Sequence, residues 1–452
     1  MIFSRRTSRG RHATLVVPFA VTALLVFGPV HAQSTVTLEQ CLQESLEANH
    51  SLLGLDAERT AARERATGAT AARRPRLYLE SSALHSSDPL RVRPARFNGE
   101  TGAYEQDLWQ GFVGTSLPLY AGGRLAAEEA AARLLLDAAN ADLAFARQTL
   151  AVRVLAVYED ALATGAIVHS LQQSLAALRS QQQRTEALVR QEKAAGVDVL
   201  RVAVRVARVE QSLIEAESRL ETLKGTLAVL MGREPSSDWV LAGELSSRDV
   251  TPAIPAGTPA ATRADQAAAQ ARVDAAIQQE ASARASSRPA VNATVNWGPR
   301  GSFEGDRYEW GFAGLVFTWS FADFGRTSAK VAEARALRRA REEAASQARL
   351  QRRLEQANAE VALRAAMARI DASQSAVTQA RESLRIEQLR YELGDGTIVD
   401  VLDAQAAADE AASLRARALA DYNIALAALD LARGVVFSSS ATSAALQSDP
   451  LN

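Results

Sequence analysis

Cysteine, histidine and the aromatic residues are nearly missing from this chain. Among its 452 residues Cys41 is the one cysteine, so no internal disulfide can form. The five histidines, His12, His31, His50, His85 and His169, are scattered with no spacing that suits a metal. No phosphate loop, nucleophile elbow or dinucleotide fingerprint occurs. These absences leave no candidate catalytic, metal-binding or cofactor-binding residue, and they argue against an enzyme. Phe, Trp and Tyr make up 5% of the chain, too little for thick globular cores. Alanine, Glu, Arg, Gln and Leu dominate instead, a mixture that favours long helices and coiled coils. After the N-terminal segment no run of 18 apolar residues appears, so no transmembrane helix is expected. Any membrane crossing must use strands.

The N-terminus has its own pattern. Arg5, Arg6, Arg9 and Arg11 stand without an acid, an apolar run follows from Ala13 to Phe27, and Val30-His31-Ala32 precedes Gln33. This reads as a secretory signal peptide, residues 1–32, cleaved after Ala32. Its loss would take the formal charge from −1 to about −5, which makes nucleic acid an unsuitable partner. Cys41 lies too far from the apolar run for a lipid anchor and is expected half-buried in a helix.

Proline and glycine punctuate the remainder sparsely. Helical spacing over Val36 to Ala72 ends at Pro75, and strands are expected at about 76–87 and 106–120, with a polar loop between. Gly122-Gly123-Arg124 then leads into a stretch without proline to about Ala195. At 1.5 Å per residue such a helix is about 100 Å long, more than a globular domain needs. Gly196 is expected to break it, and a partner helix runs to Gly232. Residues 233–262 read as a linker. The order then begins again: a helix ended by Pro289, strands at about 290–298 and 309–322, Phe324-Gly325-Arg326, a long helix to Leu393, and a partner from Ile398 to Arg433. A tail, 435–452, is expected to be disordered.

Spacing shows that this is a duplication. Arg124 to Val197 and Arg326 to Val399 are both 73 positions, and Gly232 and Gly434 stand 202 apart, the same offset. Residues 33–232 and 263–434 are thus two structural repeats. Leu363, Ile370, Val377, Leu384 and Tyr391 keep a seven-residue period, matched by Ala161, Val168, Leu175, Gln182 and Val189. Supercoiled helix packing follows. Four strands cannot close a transmembrane barrel, so copies must pool them. Trp310, Phe312, Phe317, Trp319 and Phe321 suit an outward apolar band with interfacial aromatics.

At the second helical tip, Gly394 and Gly396 interrupt the pattern and Thr397 is the expected N-cap. Asp400 and Asp403, three apart, share one face of the first turn. The motif Val399-Asp400-Val401-Leu402 echoes Val197-Asp198-Val199-Leu200.

The signal peptide, the duplicated strand-strand-helix-helix units, Leu117-Pro118-Leu119-Tyr120-Ala121-Gly122-Gly123-Arg124 and Ile398-Val399-Asp400-Val401-Leu402-Asp403-Ala404 together resemble the TolC-type outer-membrane efflux proteins. The resemblance covers nearly the whole mature chain. It implies a mainly α protein with a membrane β-barrel: a homotrimer in which four strands per protomer make a 12-stranded barrel in the outer membrane. Coiled-coil helices would form an α-barrel through the periplasm. It further implies an exit duct for a tripartite efflux pump or type I secretion system, opened by a periplasmic adaptor and an inner-membrane transporter. Asp400 and Asp403 would line the periplasmic entrance, six carboxylates in a trimer, where repulsion raises the pKa of some and cations are favoured. The plainer reading, in which Asp400 caps a helix and Asp403 is solvated, stands beside it. Asp198 and Tyr391 match positions that pair to hold the family's entrance closed, although packing alone also explains Tyr391. One departure is Gly396, which stands where a gate-locking arginine is expected. Another is the stretch from Gly111 to Gly123, two residues shorter than its counterpart from Gly311 to Gly325. The alternative function is a soluble periplasmic coiled-coil adaptor or scaffold. The exported substrate has no signature in the sequence.

Overall fold

A computed structural model of one protomer describes residues 35–96, 99–235, 239–247, 263–305 and 307–435. The expected signal peptide, the later part of the linker and the tail beyond 435 lie outside these residues. The described elements run β1 (Thr35–Val36), α1 (Leu38–Ala48), α2 (His50–Ala71), β2 (Arg76–Arg93), β3 (Ala103–Tyr120), α3 (Arg124–Arg190) and α4 (Gly196–Leu230). Then come β4 (Val240–Leu241), α5 (Ala264–Ala285), β5 (Ala290–Ser302), β6 (Arg307–Thr318), α6 (Arg326–Leu393) and α7 (Ile398–Arg433).

Two helices of 67 and 68 residues, α3 and α6, form the frame. Each is flanked by a shorter pair. Towards the strands the contacts run α2–α3–α5–α6; towards the far end they run α4–α3–α7–α6. Small residues make this sheet of helices thin: Ala161, Ala163, Ala366, Ala416, Ala420 and Ala427 are all buried where helices meet. Leu363 and Ile370 pack on Tyr422 and Ala425, so the heptad stripe faces α7. The helix expected over Val36 to Ala72 is two helices. Asn49 is extended at φ −66°, ψ 119°, its Oδ1 accepts from the Ser51 and Leu52 amides, and its Nδ2 donates to Leu230 O at 3.0 Å. At the waist β1 and β4 pair in parallel over a cluster of Leu42, Tyr158, Leu227, Met231 and Trp239. Cys41 is fully buried there rather than half-buried, and burial pushes its thiol up to about 12.

The four longer strands form one antiparallel sheet in chain order, β2-β3-β5-β6. Each outruns or shifts from its expected range. β2 and β3 reach 18 residues, so the segment from His85 to Arg93, expected as loop, continues the ladder past an irregularity between His85 and Leu90. The alternation there is polar on both faces and hid the strand. The register sorts the faces. Leu77, Leu79, Val113, Val295, Trp297, Leu315 and Phe317 share one face, all exposed. On the other, Tyr78 donates to Asn296 Oδ1 at 2.9 Å across Gly114, where a Cβ would fall 2.2 Å from that oxygen. Trp310 and Phe312 lie on this second face, stacked at 5.6 Å, with Phe112 edge-on and Arg300 over the Trp310 ring. They are therefore not part of the apolar outer band expected of them. The period of two puts residue 310 and residue 317 on opposite faces.

Candidate functional site

The tips of the two hairpins, at the end of the helices away from the sheet, hold the residues singled out by the sequence. Both turns are built the same way. After α6 the Gly394 amide donates to Tyr391 O at 3.2 Å and the Asp395 amide to Arg390 O at 2.9 Å. After α3 the Glu192 amide donates to Val189 O at 3.0 Å and the Lys193 amide to Leu188 O at 2.9 Å. These are matching Schellman caps, in which the residue after the helix turns left-handed to satisfy the last carbonyls. Gly394 does so at φ 84°, and Glu192, its equivalent in the first repeat, at φ 59°. Gly196 is not the break that was expected. It is the first residue of α4, its φ is not positive, and a Cβ there would meet nothing within 4 Å.

The restarts differ. Thr397 caps α7: its Oγ1 accepts from the Asp400 amide, and its own amide and hydroxyl both donate to Asp400 Oδ2, at 3.0 and 2.7 Å. Those bonds, with Arg390 nearby, hold the Asp400 carboxyl below the usual carboxylate range. In the first repeat Ala195 stands at the cap position and makes no side-chain bond. Asp198 is taken up by Arg201 at 3.1 Å, one turn along its own helix. Asp403, the counterpart of Arg201, is exposed and makes no hydrogen bond or ion pair among the described residues. Within the protomer the structure does not bring Asp198 and Tyr391 together. Tyr391 leans on the apolar cluster of Leu178, Val202, Ile398, Val401 and Leu402.

Gly396 belongs to the turn itself. Its amide donates to Arg390 O at 3.1 Å, and a Cβ would lie 3.1 Å from Arg390 Cβ. A side chain at this position crowds the end of α6.

Two further features gave no signal in the sequence. Arg390 reaches Asp395 O at 3.3 Å and Glu387 at 3.1 Å, so it clasps the second turn. About three helical turns beyond it, Asp409 on α7 accepts from Ser174 on α3 at 2.8 Å, Arg205 on α4 at 3.2 Å and Gln405 at 2.9 Å. Arg205 and Asp409 are largely shielded from water, so this network ties the two hairpins together. Charged residues so abundant on helix faces conceal such a cluster in the sequence.

At the opposite end, the strand-to-helix junctions carry left-handed residues: Gly122 and Gly123 at φ 65° and 88°, Phe324 and Gly325 at φ 50° and 96°. Gly122 is pressed by the second repeat. Arg288 Nη1 donates to Gly122 O at 2.9 Å, and a Cβ on Gly122 would lie 2.6 Å from Arg288 Cβ.

Comparison with known proteins agrees with this geometry. No curated protein sequence matches the chain. The family described as outer membrane efflux protein matches residues 41–233 and 260–435. Among solved structures, VceC from Vibrio cholerae is similar at 22% identity over 89% of this chain and 97% of that one, with a TM-score of 0.72. The CmeC outer membrane channel of Campylobacter jejuni gives 15% identity, 95% and 96% coverage and 0.76. The open MtrE outer membrane channel of Neisseria gonorrhoeae gives 21%, 88% and 89%, and 0.72. At these identities the likeness is one of fold, and it is the family match, spanning both repeats, that assigns the protein. The chain belongs to the outer membrane efflux protein family: it is an outer-membrane efflux channel with a long periplasmic helical extension.

Proposed function

We propose that three copies of this chain pool their strands into a 12-stranded barrel and serve as the exit duct of a tripartite efflux pump or type I secretion system. The observation that carries this reading is the sheet with two free edges. Among the described residues β2 and β6 each pair with one neighbour only, yet the face holding Leu77, Leu79, Leu315 and Phe317 is apolar and exposed. An edge left open in lipid strands several backbone groups without partners, each costing on the order of a few kcal/mol. Pairing β6 of one copy with β2 of the next removes both edges, and the outer-membrane lipid then contacts the apolar face. A soluble adaptor or scaffold has no use for such a face.

In this assembly the tips converge at the periplasmic mouth. Asp403 carries the free negative charge there, and Asp400, already engaged in its cap, sits beside it. Asp198 and Tyr391 act between protomers in the closed state, since within one protomer each has other neighbours. With no gate-locking arginine at Gly396, closure relies on packing and on Arg390. A periplasmic adaptor and an inner-membrane transporter supply the opening force. The test is recovery from outer membranes in detergent followed by mass measurement by light scattering. A trimer is expected; a soluble monomer in the periplasmic fraction contradicts the proposal.

A further inference from the structure

The seam between the two repeats of one chain is a template for the seam between chains. Within the protomer, junction Gly122-Gly123-Arg124 of the first repeat meets the α5-to-β5 turn of the second. Arg288, directly before Pro289, makes its amide bond to Ala285 O at 3.0 Å and donates its guanidinium to Gly122 O. The first repeat holds the equivalent turn. Arg74, directly before Pro75, donates its amide to Ala71 O at 2.9 Å, and its exposed side chain has no partner among the described residues. The second repeat holds the equivalent junction, Phe324-Gly325-Arg326, at the open edge: the loop leading to it touches its own repeat's turn on one side, where Trp319 donates to Ser287 O at 3.2 Å, while a Cβ on Gly325 would meet only Ser328 of its own helix. If the repeats alternate around a closed ring, each Phe324 junction must face an Arg74 turn of the next chain.

One feature separates the two seams. At 122 the backbone is left-handed and glycine is required, because a Cβ would strike Arg288. At 324 the same left-handed position holds a phenylalanine, φ 50°, and the residue is fully exposed. A bulky residue in this region strains the backbone and persists where it has a use. Its full exposure leaves an apolar ring for a partner outside the protomer. An arginine opposite a phenyl ring supplies one, through its carbonyl bond and the ring face.

We propose that Phe324 of one protomer and Arg74 of the adjacent protomer form the inter-subunit seam at the base of the barrel, the guanidinium against the phenyl ring. This rests on the trimeric reading above. The Phe324 ring acts as a wedge, so the three seams between chains stand wider than the three within chains, which glycine closes tightly.

The test is cysteine cross-linking of the full chain in the outer membrane, with Cys41→Ala as background. Arg74→Cys with Phe324→Cys should give covalent dimers and trimers on oxidation, whereas Arg288→Cys with Phe324→Cys should not. A trimer in detergent without that ladder, or with equal ladders from both pairs, overturns the seam and leaves the duct intact. A monomer in detergent overturns both. A second variant guards against misfolding. Phe324→Gly relieves the left-handed backbone, so a purely local role predicts an unchanged or more heat-resistant trimer. The seam predicts the opposite: subunits that separate in detergent at a lower temperature than wild type. An unchanged or raised separation temperature counts against it.

Discussion

At the first hairpin tip the chain turns on Glu192 and restarts at an uncapped Ala195; at the second it turns on Gly394 and restarts at Thr397 in a full capping box. The hydrogen bonds that close the two turns are the same. What differs is the cost of holding them. A non-glycine residue in the left-handed region carries a penalty of about 1 kcal/mol, and a missing cap forgoes about as much again. Tip one is thus held weakly and tip two firmly. Charge differs as well: Asp198 is neutralised by Arg201, while the second tip leaves Asp403 free. A duplicated element has become one adjustable tip and one rigid, acidic tip.

Exchanging the caps should disturb this contrast most. Thr397→Ala removes the Oγ1 half of the capping box and the hydroxyl's bond to Asp400, leaves the backbone amide's bond to that carboxylate, and is expected to lower the local stability of the second tip by about 1 kcal/mol. Ala195→Thr should raise that of the first by about 1 kcal/mol. Hydrogen exchange at the amides of residues 196–199 and 398–401 reads both. Equal protection of the two tips in the wild type would break the comparison. Next comes the left-handed position. Gly394→Ala should cost about 1 kcal/mol, and Glu192→Gly should gain up to about that much, opposite signs at equivalent sites. Two losses would mean that Glu192 earns its place through a contact not made within the protomer.

A smaller effect is expected from pH. The folded Asp400 carboxyl sits below its ordinary range, so its stabilisation is complete above the unfolded value and is lost as pH falls through the lowered folded one. Acidification below the ordinary carboxylate range should therefore loosen the second tip. Exchange of the Ile398 and Val399 amides against pH shows it, with Asp400→Asn flattening the curve. A rise in protection towards acid would mean instead that repulsion among entrance carboxylates outweighs the cap.

Much of this was legible in the sequence because it rests on backbone economy. Stretches of nearly seventy residues with so little proline and glycine have one regular solution, and the offset of 202 links Gly232 to Gly434 and the two Val-Asp-Val-Leu motifs. The first turn was misplaced for a physical reason. Glycine marks a left-handed residue only when the chain uses one, and at Glu192 it does not. The offset of 202 maps Gly394 onto Glu192, so the repeat register marks the turn and Gly196 does not. The faces of β6 were read too simply, because a run of aromatics hides a period of two. Asp409 and Arg390 owe their roles to three-dimensional neighbours, Ser174, Arg205 and Asp395 O, that no local pattern announces.

The sharpest test of the unequal tips is the reversal potential of the reconstituted channel across a planar bilayer under a salt gradient. Asp400 is a poor subject, since replacing it also breaks the cap. Asp403 and Asp198 are better matched: one carboxylate free, the other paired. We expect a cation-selective wild type, a clear loss of selectivity in Asp403→Asn, and little change in Asp198→Asn. Equal shifts in the two variants, or none in Asp403→Asn, would contradict an entrance whose charge is set by the second tip.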